Sequence, residues 1–111
     1  EYCIIFSKES FKRQVSGEST ISKENFMEST LSIWNIAPEK AKKIGHPAPF
    51  PVELPKRFID LYSFKDEVIL DPFIGSGTTA LAAKSLNRHY IGYEINNDYI
   101  QIANLRLKDT S

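Results

Sequence analysis

The sequence predicts an α/β fold in which helices flank a parallel sheet. From residue 52 onward the pattern reads helix, strand, helix, strand, helix, and such alternation is typical of parallel strands joined by crossover helices. A second observation supports this fold class: residues 68–70 are a short apolar run that leads directly into a glycine turn and a further helix. An apolar run bounded by turn residues is typical of a central strand that is buried on both faces.

Length and composition limit the class of protein. The chain has 111 residues, of which 41% are hydrophobic, and this is enough for the core of one small domain. Fourteen basic and fourteen acidic residues cancel, so the net charge provides no general attraction to nucleic acid. The single cysteine, Cys3, excludes an intramolecular disulfide and fits a reducing, cytoplasmic setting; we expect its thiol to be buried. No apolar run is long enough to span a membrane, and the start at Glu1 rather than Met suggests a preceding segment.

The N-terminal part of the chain carries weak signals. Alternation followed by an apolar run predicts a strand over residues 1–8, and residues 32–36 alternate in a similar way. Residues 8–23 are polar and have no sustained period, which predicts an exposed loop. The basic residues of this loop, and the lysines of the connector at 38–45, have two interpretations: a solvated surface, which we favour, or a contact with phosphate.

The C-terminal part carries stronger signals. Three prolines within residues 46–51 exclude a helix there, and the helix that follows has three apolar residues at core spacing: Leu54, Phe58 and Leu61. A second helix is predicted over residues 78–86, ended by Asn87, and a second strand over residues 89–94. Asn96 is a suitable cap for the final helix. The apolar face of that helix consists of Tyr99, Ile102, Ala103 and Leu107.

The glycine turn predicts a site for a nucleotide-type cofactor. Gly75 and Gly77 remove side chains where a ligand must approach the backbone, and the helix that follows directs unpaired N–H groups at that ligand. Residues 75–80 match the pattern G-x-G-x-x-[GA], which is a weak signal alone. Glu94 follows about twenty residues later, where an acid is expected to hold ribose hydroxyls. A P-loop is excluded because no Lys-Ser/Thr pair follows the glycines.

Asp71 separates two candidate cofactors, NAD and S-adenosylmethionine. NAD places a pyrophosphate at the helix N-terminus, and a neighbouring carboxylate would repel it. S-adenosylmethionine has no phosphate and carries an ammonium and a sulfonium, which a carboxylate attracts. The sequence therefore favours S-adenosylmethionine, with the alternative that Asp71 only caps the turn.

Three motifs, in this order along the chain, resemble the DNA cytosine-N4 / adenine-N6 methyltransferases whose motifs are permuted (the beta class). Residues 46–51 are similar to that family's His-Pro-x-x-x-Pro segment, and residues 71–79 resemble its S-adenosylmethionine motif, Asp-Pro-Phe-x-Gly-x-Gly-Thr-Thr. Residues 88–94 and 97–100 look like its closing segment, and residues 1–8 resemble a strand that precedes its target-recognition region. The resemblance implies a partial Rossmann-like, S-adenosylmethionine-dependent methyltransferase fold.

The resemblance also implies roles along the chain. Residues 1–43 would belong to a target-recognition or connecting region, and residues 44–111 would form the S-adenosylmethionine-binding subdomain. The residues implied to bind the cofactor are His46, Pro47, Asp71, Phe73, Gly75, Ser76, Gly77, Thr78, Thr79, Glu94 and Ile95. In this assignment Glu94 binds the ribose, while the proline-rich segment and the glycine turn enclose the methionine end.

The catalytic motif of that family is Ser/Asp/Asn-Pro-Pro-Tyr/Phe/Trp, which holds a flipped base so that its exocyclic amine attacks the sulfonium methyl. No Pro-Pro dipeptide occurs in this sequence. We therefore predict no catalytic residue here and no methyl transfer by the chain alone. We expect double-stranded DNA as a partner, together with a missing N-terminal segment or a second polypeptide that carries the motif. The form Pro-Ala-Pro-Phe-Pro favours cytosine N4 over adenine N6 as the target.

The main hypothesis is thus a DNA methyltransferase of a restriction-modification system or an orphan modification system. Two functions of other classes stay open at this point. One is a fragment of an NAD-dependent oxidoreductase, since the glycine pattern also matches the dinucleotide fingerprint. The other is a non-catalytic subunit that binds DNA without a cofactor. No metal site and no membrane contact are predicted. A partial sheet would expose a strand edge and apolar surface, so we expect a partner or self-association.

Overall fold

The computed structural model describes residues 1–38 and 49–110 of the chain. Within these ranges the elements are, in order, α1 (Lys23–Ser29), α2 (Glu53–Tyr62), β1 (Val68–Asp71), α3 (Thr78–Ser85), β2 (His89–Gly92) and α4 (Asn97–Asp109). The predicted order of helix, strand, helix, strand, helix is confirmed from α2 onward. Several predictions concern residues outside the described ranges. They are the lysines of the connector, the predicted domain boundary between residues 43 and 44, and the predicted ligands His46 and Pro47.

β1 and β2 form a parallel pair, as the sequence predicts. The register places Val68 opposite His89 and Asp71 opposite Gly92. The connection between the two strands contains α3, so β1, α3 and β2 make one β–α–β unit. Both strands end at the same edge of the sheet, and the glycine turn and Glu94 follow them there.

Small side chains let α3 lie close against its neighbours. Ala80, Ala82 and Ala83 are completely buried, and α3 packs against both α2 and β2. The buried apolar cluster consists of Ile59, Ala82 and Ala83, with three partly buried side chains packed against it: Val52, Ile69 and Leu86. The core therefore lies between α2, α3 and one face of the sheet. The face predicted for α2, which consists of Leu54, Phe58 and Leu61, is partly buried.

Local signals delimit the helices as the sequence predicts. The Asn96 side chain caps α4 and accepts hydrogen bonds from the amides of Asp98, at 2.9 Å, and Tyr99, at 3.4 Å. Asn87 has a φ of 58°, in the left-handed region that asparagine tolerates better than most residues, and it ends the turn after α3. In residues 1–38 and 49–110 no helix is long and apolar enough to cross a membrane.

One face of the sheet is bare in the described part of the chain. Val68 and Leu70 on β1 are 59% and 60% exposed, and Ile91, which lies beside Leu70 on β2, is 50% exposed. The prediction that residues 68–70 are buried on both faces is therefore wrong, because helices cover only the face to which Ile69 belongs. The expected exposed apolar surface is present. We call this set of side chains, Val68, Leu70 and Ile91, the bare sheet face.

Three expectations for the N-terminal region are wrong. Residues 1–8 form no strand and Cys3 is exposed. The sheet of the described residues contains only β1 and β2, so this segment lacks the hydrogen-bonded neighbour that a strand needs. Residues 32–36 form no strand either. Their Trp34 instead packs on Phe58 of α2, with the ring centroids 4.9 Å apart, and its indole N–H donates to the carbonyl of Ser29 at 3.1 Å.

α1 is an element that the sequence analysis missed. Its N-cap is Ser22, whose hydroxyl accepts a hydrogen bond from the amide of Asn25 at 3.1 Å. Arg57 of α2 donates to Glu28 of α1 at 3.0 Å and to Glu53 of its own helix at 3.1 Å. The salt bridge with Glu28 fastens α1 to α2, and the one with Glu53 holds the Arg57 side chain along its own helix. Arg57 is only 9% exposed.

A second buried arginine fastens the N-terminal loop. Arg88 is 4% exposed and donates to the hydroxyl of Thr20 at 2.6 Å and to the carbonyl of Ser63 at 2.7 Å. Arg13 of the same loop forms a salt bridge with Glu67. The loop is exposed, as predicted, but these contacts tie it to the domain at two points.

Candidate cofactor site

The glycine turn lies between β1 and α3, at the carboxyl edge of the sheet. Gly75 and Gly77 have φ angles of 53° and 86°, in the left-handed region that favours glycine. The amide of Gly77 donates to the carbonyl of Ile74 at 2.9 Å, and its carbonyl accepts the first hydrogen bond of α3, from Leu81, at 3.0 Å. No side chain of the described residues caps α3. The first amides of this helix therefore have no side-chain acceptor among the described residues.

Asp71 ends β1 and spans the glycine turn. One of its carboxylate oxygens accepts a hydrogen bond from the amide of Phe73 at 2.9 Å, and the other accepts from the hydroxyl of Thr79 at 2.6 Å. The carboxylate therefore closes the turn, which is the alternative that the sequence left open. Each carboxylate oxygen has a second lone pair, so closing the turn does not prevent a contact with a cationic ligand.

Glu94 joins the segment after β2 to the glycine turn. One carboxylate oxygen accepts from the amide of Gly75 at 2.9 Å, and the other accepts from the amides of Ile95 and Asn96, both at 2.9 Å. β2 ends at Gly92, earlier than predicted, so Glu94 lies in the loop before α4 rather than in the strand. From this loop the side chain reaches across the edge of the sheet to the turn.

Two carboxylates thus flank the glycine turn, and they determine which ligands suit it. A pyrophosphate at the start of α3 would lie close to both Asp71 and Glu94 and would be repelled. A ligand with an ammonium and hydroxyl groups would find a counter-charge and hydrogen-bond acceptors there. Within residues 1–38 and 49–110 no group of His, Cys, Asp or Glu side chains is arranged to hold a metal ion.

Two apolar side chains are exposed beside these carboxylates. Phe73 follows Asp71 in the turn and is 87% exposed, and Ile95 follows Glu94 and is fully exposed. Large apolar side chains that surround a few polar groups are typical of small-molecule sites. Phe73 and Ile95 are therefore suited to contact the uncharged parts of a ligand.

Ser76 and Thr78 point into the protein. They are 3% and 4% exposed. The Nη1 atom of Arg106, on α4, donates to the carbonyl of Ser76 at 2.8 Å, to its hydroxyl at 2.9 Å and to the hydroxyl of Thr78 at 3.2 Å. These two side chains therefore bind the arginine behind the turn rather than face the open side of the turn.

The described members of the predicted set lie together at one edge of the sheet, and their individual roles in binding stay predictions. Arg106 belongs to this site and was missed by the sequence analysis. A signal for it exists: Arg106 lies three residues after Ala103, on the helix face that the apolar period assigns to the core. An arginine on such a face is expected to bind acceptors inside the protein.

Comparison with known proteins identifies the family. The model of the DNA methylase family (N6_N4 methyltransferases) matches residues 1–105. The chain belongs to this family of DNA methylases. Among curated relatives, the methylase chain is 44% identical over 93 residues to the type II methyltransferase M.HindIII of Haemophilus influenzae. That match covers 81% of the chain and 30% of the relative.

Solved structures of DNA methylases have the same fold. A putative DNA modification methylase from Thermus thermophilus, complexed with S-adenosyl-L-methionine, matches with a TM-score of 0.70 at 37% identity, over 82% of this chain and 35% of that one. The PvuII DNA methyltransferase, which is cytosine-N4-specific, matches with a TM-score of 0.56 at 32% identity, over 68% and 30% of the two chains. The predicted partial methyltransferase fold is confirmed, and the chain spans about a third of the length of these relatives.

Proposed function

We propose that this chain binds S-adenosylmethionine at the glycine turn and forms the cofactor-binding part of a site-specific DNA methyltransferase. One observation carries the proposal: the Glu94 carboxylate is hydrogen-bonded to the Gly75 amide, so an acid from the loop after β2 lies directly on the turn. Membership of the DNA methylase family supports the activity. The complex of the Thermus thermophilus relative with S-adenosyl-L-methionine supports the ligand.

The chemistry of the site fits this cofactor. Asp71 offers a negative charge to the ammonium, and Glu94 offers acceptors to the ribose hydroxyls. The amides at the start of α3 favour the carboxylate of the methionine part. Phe73 and Ile95 offer apolar surface to the uncharged parts. NAD fits less well, because its pyrophosphate would meet both carboxylates.

In the proposed reaction S-adenosylmethionine supplies an activated methyl group to an exocyclic amine of a DNA base. The part played by this chain is to bind and orient the donor. Asp71 and Thr79 close one side of the turn, and Glu94 holds the amide of Gly75. The backbone that faces the ligand is therefore ordered before the ligand arrives, which reduces the entropy lost on binding.

We propose that the bare sheet face is covered by a methylase segment that carries the Pro-Pro catalytic motif, encoded before this chain or separately. The matches cover only 30% of M.HindIII and 35% of the Thermus thermophilus methylase, so most of each relative has no counterpart here. A contiguous exposed apolar surface is typical of a protein interface. The sheet of the described residues has two strands, whereas stable sheets usually have more. Double-stranded DNA then binds to the completed enzyme, with residues 1–43 in its target-recognition or connecting region.

We infer cytosine N4 as the methylated atom, with adenine N6 as the alternative inside the same family. The proline-rich form of residues 47–51 and the structural match to a cytosine-N4-specific methyltransferase support this inference. Mass spectrometry of nucleosides from DNA methylated by the complete enzyme tests it. N4-methylcytosine is the expected product, and N6-methyladenine would show that the alternative is correct.

Calorimetric titration of the full chain tests cofactor binding. We expect S-adenosylhomocysteine to bind, and Asp71→Asn to weaken it by about tenfold, since the ammonium loses its counter-charge. Asp71→Ala removes the turn contacts as well and should abolish binding. Glu24→Ala, which removes an exposed carboxylate on α1, is the control and should leave the affinity unchanged. Binding of NAD without S-adenosylhomocysteine would favour the oxidoreductase, and binding of DNA without either ligand would favour the non-catalytic subunit.

Mixing experiments test the covering segment. The chain alone should transfer no methyl group to DNA, and adding the N-terminal part of a methylase that carries the Pro-Pro motif should restore transfer. Leu70→Lys should prevent this association, because it puts a charge at the centre of the bare sheet face, yet it should not weaken cofactor binding. Methyl transfer by the chain alone, or full activity of Leu70→Lys in the mixture, would refute the arrangement.

A further inference from the structure

Arg106 holds the back of the glycine turn, and it fixes the orientation of one peptide group in particular. The carbonyl of Ser76 accepts from Arg106 Nη1 at 2.8 Å. The N–H of the same peptide group, which belongs to Gly77, donates to the carbonyl of Ile74 at 2.9 Å. Because both ends of this peptide group are bonded, it cannot rotate without breaking one of these hydrogen bonds.

α4 also contacts the turn through packing. A Cβ atom placed on Gly77 would lie 2.8 Å from the Cβ of Ala103, so the helix backbone and the turn are as close as a glycine allows. Ala103 and Arg106 are three residues apart and therefore face the same side of α4. The helix thus supports the turn at two neighbouring points, one by contact and one by hydrogen bonds.

Stabilisation of α3 is not a sufficient reason for this arrangement. The Arg106 guanidinium lies at the N-terminal end of α3, where the helix dipole disfavours a positive charge. A neutral donor would satisfy the Ser76 carbonyl without that electrostatic cost. The Arg106 Nη1 atom, in contrast, lies within 3.2 Å of the carbonyl of Ser76 and of the hydroxyls of Ser76 and Thr78, and its two N–H groups can link these three acceptors of the turn.

We propose that Arg106 is a positioning residue that holds the glycine turn in the conformation that binds the methionine end of the cofactor. This inference rests on the proposed function. Arg106 does not touch the ligand in this role; it acts through the Ser76–Gly77 peptide group and the Thr78 hydroxyl. Its loss should therefore weaken those ligands that reach the turn and spare those that do not.

The affinities of the full chain for two ligands distinguish this role from a general effect on folding. S-adenosylhomocysteine contains the amino-acid part that reaches the turn, and 5′-methylthioadenosine lacks it. We expect Arg106→Gln to raise the Kd of S-adenosylhomocysteine by about tenfold, which is the scale of one charge-assisted hydrogen bond. The Kd of 5′-methylthioadenosine should rise by less than about twofold. Arg106→Lys keeps the positive charge and an N–H donor group but not the geometry of the guanidinium, and it should recover part of the affinity. Lys108→Gln, an exposed cation on the same helix, is the matched control.

Amide hydrogen exchange of the ligand-free chain provides a second measurement. In Arg106→Gln the amides of Gly75 and Gly77 should exchange faster, while those of the buried α3 residues should keep their protection. Equal weakening of both ligands, or faster exchange throughout the chain, would reduce Arg106 to a structural residue and overturn the inference. Unchanged binding of S-adenosylhomocysteine by Arg106→Gln would overturn it as well. A wild-type chain that binds neither ligand would overturn the proposed function, and the cofactor role of Arg106 with it.

Discussion

Gly77→Ala gives a quantitative test of how closely α4 approaches the glycine turn. The added Cβ would lie 2.8 Å from the Cβ and 3.2 Å from the Cα of Ala103. Relieving an overlap in a packed interior costs about 1–3 kcal/mol. The φ of 86° at Gly77 adds about 1–2 kcal/mol for a residue with a Cβ. We therefore expect a loss of about 2–5 kcal/mol in the free energy of unfolding.

Urea denaturation followed by circular dichroism measures this loss. With a slope of about 1.5 kcal/mol per molar urea, a cost of 3 kcal/mol moves the midpoint down by about 2 M. The double variant Gly77→Ala/Ala103→Gly separates the two causes, since it removes the Cβ overlap but keeps the backbone strain. We expect a favourable coupling of about 1 kcal/mol between the two substitutions. Strict additivity, or a cost below about 1 kcal/mol for Gly77→Ala alone, would refute the close approach of α4 to the turn.

Two further substitutions test the local and the long-range contacts of the fold by the same urea titration. Asn96→Ala removes the side-chain cap of α4 and should lower the free energy of unfolding by about 1 kcal/mol. The control Asn104→Ala, at an exposed interior position of the same helix, should be neutral or slightly stabilising. Equal effects of the two substitutions would argue against the cap. Arg88→Met leaves the carbonyl of Ser63 without a buried donor and should cost about 3 kcal/mol. Lys108→Met is the exposed control, and an Arg88→Met chain of wild-type stability would show that this hydrogen-bond network contributes nothing.

Three protein contacts hold the glycine turn of the candidate cofactor site. Glu94 holds Gly75 from the side of β2, and Arg106 holds Ser76 from the side of α4. Asp71 closes the remaining side through Thr79. The turn is therefore bonded to three different segments, and protein contacts hold its conformation in the ligand-free chain.

Much of the second half of the fold was predictable because its signals are local. The Asn96 cap acts on amides that follow it within three residues, and the left-handed turn at Asn87 depends on a single backbone angle. The glycine turn is equally local. The strand expected over residues 1–8 shows the limit of such signals. The alternating pattern indicates which side chains a strand would bury, but a strand also needs a neighbouring strand to pair with, and the pattern carries no information about that neighbour.

The sequence by itself determined the β–α–β order and the glycine turn, because their signals lie close together in the chain. The parallel β–α–β order then brings Glu94, 19 residues after Gly75, to the edge of the sheet where the turn lies. Only the tertiary structure decided which face of β1 is buried, since burial depends on which helices are present to cover it. It also decided the contacts of Arg106, whose acceptor on Ser76 lies 30 residues earlier in the chain. Folding alone brings two residues so far apart into contact. The only local signal for the contact is a charged residue on an apolar helix face.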